Sequence, residues 1–80
     1  MLTSSDVQSR LREIPFTPFR IVTSAGTSHD VYHPDMVIVG RRFLIVGTPS
    51  TEEPSQAELV TRVSVLHIAE LQDVPPVHSR

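Results

Sequence analysis

The chain has 80 residues, seven of them arginine against nine acidic side chains. It therefore forms one domain with a modest core, and its formal net charge of −2 gives no global positive field to draw in polyanions. It has no cysteine, which excludes a disulfide framework, a thiolate nucleophile and thiolate metal ligands.

Thr3 is predicted to cap a helix, with Asp6 three residues on as a variant capping box and Leu2 and Val7 as a hydrophobic staple. Val7, Leu11 and Ile14 recur at i, i+4 and i+7, predicting one apolar stripe on a helix over 4–14 that Pro15 ends. Arg10, Arg12 and Glu13 fall on its wet face. The stretch 15–18, Pro-Phe-Thr-Pro, is a stiff extended connector with Phe16 as an anchor.

Alternation then begins. Phe19 to Ser24 reads as a strand with Phe19, Ile21 and Thr23 on one face, Ala25-Gly26 as a tight reversal, and Ser28 to His33 as the returning strand of a hairpin. Pro34 donates no ladder hydrogen bond, so a bulge or bend is expected at His33-Pro34-Asp35. Met36 to Gly40 and Phe43 to Gly47 flank Arg41-Arg42 and are continuous apolar runs, the pattern of strands covered on both faces.

Thr48 to Glu58, with two prolines and three glutamates, reads as an exposed loop. The apolar run Leu59 to Leu71 is too long for one ordinary strand, and a short turn near Leu66-His67 is expected to divide it. Residues 75–80 read as a frayed tail, which leaves a single small domain over 1–74 with its β region at 19–74. A helix followed by five strands in this order closes most naturally as a small barrel. An open sheet under the helix is the competing arrangement.

The run Pro15 to Ile21, Ser24-Ala25-Gly26, Val31 to Asp35, Ile45-Val46-Gly47 and Leu66-His67-Ile68 resembles a family of short uncharacterised bacterial proteins over about residues 10–71. That resemblance supports the segmentation and implies no activity. More distantly, the element order is similar to SH3-like and Sm-like folds, including the bacterial Sm-like RNA chaperone. This likeness implies a mainly β fold, an N-terminal α-helix followed by a five-stranded SH3-like/Sm-like small barrel, that assembles into rings. Leu66 stands where the chaperone has the Lys of a Lys-His pair, and the chain contains no Asn for base recognition, so uridine reading is not expected to carry over.

Several residues are candidates for chemistry. Arg41-Arg42 at a hairpin tip suits a phosphate or carboxylate clamp, or a solvated turn that keeps an apolar hairpin in solution. Arg20, Arg62 and His67 extend that patch if the fold gathers them. Tyr32, His33 and Asp35 form either a recognition bend or a turn held by Asp35 hydrogen bonds. His29 and His33 lie about 13 Å apart along a regular strand, too far to share one ion, so no metal is expected. His67 as a general base lacks a nucleophile in a recognisable setting, and no cofactor motif is present.

The chain is thus expected to be non-enzymatic, a self-associating interaction module whose apolar strands need cover from a second subunit. The alternative is an Sm-like RNA or other nucleic-acid binder using Arg20, Arg41, Arg42 and His67. No apolar run suits a membrane span, and Met1 to Ser4 lack the start of a signal peptide, so a cytoplasmic location is expected.

Overall fold

The computed structural model describes residues 1–53 and 56–74. The expected tail at 75–80 and the middle of the expected loop, 54–55, lie outside the described residues. Helix α1 spans Ser4–Leu11, followed by strands β1 (Phe19–Thr23), β2 (Ser28–Val31), β3 (Val37–Val39), β4 (Phe43–Pro49), β5 (Ala57–Ser64) and β6 (Ile68–Asp73). A 3₁₀ turn at Pro34–Met36 separates β2 from β3, and another at Val65–His67 separates β5 from β6. The protein is mainly β with one N-terminal helix.

The Asp6 carboxylate accepts from the Thr3 amide at 2.7 Å and from the Thr3 hydroxyl at 3.1 Å, so the helix starts where the sequence signals it. It ends at Leu11, three residues early. The Arg12 amide is shared between the Gln8 and Ser9 carbonyls at 3.1 and 3.3 Å, the Glu13 amide turns to Arg10 three residues back, and the residue before Pro15 is sterically disfavoured in helical geometry. Ile14 consequently leaves the stripe and is 96 % exposed, while Val7 is fully buried and Leu2 and Leu11 pack beside it.

Six strands form two antiparallel three-stranded sheets, in the orders β2-β1-β6 and β3-β4-β5. The expected barrel had five strands; the structure has six, because the break expected at Pro34 is a full 3₁₀ turn that separates β2 from β3, and no strand pairing closes the two sheets into a ring among the described residues. The first hairpin pairs Phe19 with Val31 and Val22 with Ser28. Its turn depends on Gly26, whose φ of +90° is open to residues without a Cβ. Thr23 Oγ1 lies 2.6 Å from Thr27 Oγ1 and accepts the Thr27 amide at 3.2 Å, which satisfies this buried hydroxyl.

The core lies between the sheets. Phe19, Ile21 and Val31 from one sheet meet Val37, Leu44, Val46 and Val63 from the other, with Val65 and Ile68 beside the second 3₁₀ turn. Val7 of α1 completes this core, so the helix covers its own chain. Arg10, expected on the wet face, instead packs its guanidinium 4.9 Å from the Phe19 ring centroid and donates to the Asp73 carboxylate at 2.6 Å. Phe16 meets Phe19 edge-on at 6.1 Å, the anchor its position predicted.

The expected loop at 48–58 is shorter than the composition suggests. Strand β4 continues to Pro49 and β5 begins at Ala57 because Ser50 Oγ accepts the amides of Glu52 and Glu53 and the Ser50 amide returns to the Gln56 carbonyl, which extends the hairpin outward.

Candidate functional site

Arg20 projects from β1 directly across from Asp30 of β2. Its Nε donates to one Asp30 oxygen at 2.6 Å and its Nη2 to the other at 3.2 Å, a bidentate pair, and the Tyr32 hydroxyl donates to the same carboxylate at 3.4 Å. The hydrogen bonds from Arg20, opposed by some desolvation, hold the Asp30 carboxyl below the usual carboxylate range, and the same contact with Asp30 raises Arg20. Arg20 is therefore already neutralised within the hairpin. The pair lines an open groove of about 670 Å³ that continues over Tyr32, His29 and the end of β4 at Thr48 and Ser50.

The bend at 32–35 is built differently from the expectation. His33 Nδ1 accepts the Asp35 amide at 3.2 Å, and the Met36 amide bonds the His33 carbonyl at 3.1 Å. The imidazole, and not the Asp35 carboxylate, caps the 3₁₀ turn; Asp35 lies 3.6 Å from the same ring nitrogen with its side chain in solvent. Tyr32, His33 and Asp35 are all exposed, on the outside of the turn.

Arg41 and Arg42 occupy the tip of the β3–β4 hairpin, where the Gly40 amide donates to the Phe43 carbonyl at 2.8 Å. A Cβ on Gly40 would sit 2.8 Å from that oxygen, so the tip needs glycine. Both arginines are exposed. Arg41 borders a shallow groove with Arg12 and Ser4. His67 belongs to a different groove, of about 290 Å³, with His29, Arg62, Thr27 and Ser64. None of these three grooves is lined by Arg20, Arg41, Arg42 and His67 together; the fold brings His67 to Arg62 and His29.

The outer face of the β3-β4-β5 sheet has a different character. Alternation along β4 sends Leu44 and Val46 into the core and leaves Phe43 and Ile45 outside, with Ile38 paired to Ile45 and Ile45 to Arg62. On this face Ile38 is 65 % exposed and Val60 66 %, while Leu59, 65 % exposed, lies across from Thr48 on the opposite face of β5. The Arg62 guanidinium stacks 4.6 Å from the Phe43 ring centroid. The two apolar runs around Arg41-Arg42 are thus covered on one face by their own chain, and no described residue supplies the cover expected on the second face over Ile38 and Phe43. The β5 strand adds a backbone edge: it pairs with β4 alone among the described strands, and every residue from Ala57 to Arg62 is exposed.

No family model, curated protein or solved structure matches the chain. No group of three or more metal-ligating side chains converges among the described residues, and none of their helices is long and apolar enough to cross a membrane.

Proposed function

We propose that this protein is a non-enzymatic small β interaction module that associates with further copies of itself through the β3-β4-β5 sheet. The observation that carries the reading is the exposed apolar face formed by Ile38 of β3, Phe43 of β4 and Val60 of β5, which runs across the sheet to the edge of eight-residue β5 left unpaired among the described strands, with Leu59 exposed on the other face of that edge. Apolar side chains beside unpaired backbone groups are a template for another strand, and burial of each is worth about 1.5–3 kcal/mol if it becomes complete. Fold order supports the same reading. If β2 and β3 are taken as two halves of one strand bent at Pro34, the pairing order becomes β6-β1-β2/β3-β4-β5, the order of an SH3-like or Sm-like barrel opened between β5 and β6. Sedimentation equilibrium at micromolar concentration tests the proposal: a dimer or larger assembly is expected, and a strict monomer overturns it.

A second reading, nucleic-acid binding, draws on the groove shared by Arg62, His67 and His29. It predicts binding of labelled single-stranded RNA that weakens with salt, because phosphate contacts release counterions. Arg20 would contribute little to such binding, since Asp30 already occupies its guanidinium. Absence of binding at low salt removes this reading and leaves the first intact.

A further inference from the structure

The free edge of β5 reads Ala57-Glu58-Leu59-Val60-Thr61-Arg62-Val63-Ser64. Two copies of one strand can extend a sheet about a two-fold axis perpendicular to it, and residue i then faces residue j with i plus j constant and even, because facing side chains share a face. Registers centred on Val60 and on Thr61 both use nearly the whole strand. Centring on Val60 places Glu58 opposite Arg62 of the second copy, and Arg62 opposite Glu58 of the second copy, on either side of an apolar Val60–Val60 contact. Centring on Thr61 faces Arg62 with Val60 and Glu58 with Ser64, and pairs no charges.

Two details of the isolated chain favour the first register. Among the described residues neither Glu58 nor Arg62 forms an ion pair. Glu58 also falls where the β4–β5 register shifts: Leu59 faces Thr48 and Ala57 faces Pro49, so Glu58 has no partner across β4. Charges on an edge strand ordinarily protect it by repelling a copy. These are opposite in sign and symmetric about Val60, so a second antiparallel copy meets attraction.

We infer that the protein dimerises by antiparallel β5–β5 pairing in the Val60-centred register, giving a continuous six-stranded sheet locked by two Glu58–Arg62 pairs. This rests on the self-association proposed above and adds its edge, symmetry and register. The test is a charge-swap series with the full chain, followed by sedimentation equilibrium and circular dichroism as a check of folding. Glu58→Arg and Arg62→Glu each place two like-charge pairs across the edge and are expected to weaken dimerisation about tenfold or more. The double variant restores attraction and is expected to return close to the wild-type constant. Since the chain lacks cysteine, Val60→Cys gives an independent readout: oxidation is expected to yield a covalent dimer more readily than with Thr61→Cys.

A monomeric wild type overturns the self-association reading and this inference together. A wild-type dimer that ignores both reversals, that the double variant fails to restore, or that cross-links better through Thr61→Cys overturns the register and leaves self-association standing. A single variant that fails to fold is replaced by Glu58→Gln or Arg62→Gln, each expected to weaken the dimer less than reversal does.

Discussion

Phe19 concentrates more of the packing than any other described aromatic. It is fully buried at the start of β1, meets Phe16 edge-on and carries the Arg10 guanidinium on its ring. Phe19→Ala is expected to cost about 3–5 kcal/mol, enough to abolish the cooperative urea transition of a domain this small. A loss below about 1 kcal/mol would show that the site collapses around the smaller side chain. Asp30 is a residue-scale lever of another kind. Its folded carboxyl titrates below its unfolded value, so its contribution to stability is present above the unfolded value and is lost as pH falls through the lowered folded one. Asp30→Asn should therefore lower the thermal midpoint at pH 7, and the gap from wild type should close below about pH 4. A gap that persists in strong acid would mean that Asp30 acts through geometry and not through charge.

Among the elements, α1 tests how far local signals govern the fold. Its eight residues are too few for a stable isolated helix, and the Asp6 carboxylate satisfies the Thr3 amide at its entry. Asp6→Ala is expected to cost about 1 kcal/mol and to raise hydrogen exchange in the first turn ahead of the strands. Equal acceleration throughout the molecule would contradict a local role. This capping box, the Gly26 reversal and the turn after Ser64 were legible because each is written in adjacent residues. The break after the second predicted strand was half legible: Pro34 announced it, but its depth depends on His33 supplying the cap, which no spacing rule required. The Arg20–Asp30 pair was readable in principle, since a hairpin turning near Ala25 places position 20 opposite 30. Arg10 was misread as solvated because its partners, Phe19 and Asp73, are brought to it by tertiary packing, 63 residues away in the case of Asp73. Which face of Met36 to Gly47 would remain open was not legible either. A continuous apolar run does not say which of its sides the rest of the chain can reach.

At the scale of the whole molecule, folding and assembly draw on different faces of one sheet. Leu44 and Val46 point inward to the core, whereas Ile38 and Phe43 lie on the exposed side. Ile38→Ser is accordingly expected to change the unfolding free energy of the isolated subunit by no more than about 0.5 kcal/mol while weakening self-association. Comparing denaturation at a dilution where the wild type is monomeric with sedimentation at high concentration separates the two effects. A large loss of monomer stability would place Ile38 in the fold and withdraw it from the contact surface.

The pairing of β1 with β6 has a mechanical consequence. Phe19 faces Asp73, so the start of the first strand and the finish of the last lie at the same end of their ladder, beside the Arg10–Asp73 contact. Tension applied between residues 1 and 74 would break that ionic latch and then load the interstrand bonds one rung at a time, along their own axes. Such a ladder unzips under a modest pull, whereas strands dragged lengthwise past each other resist with all their rungs together.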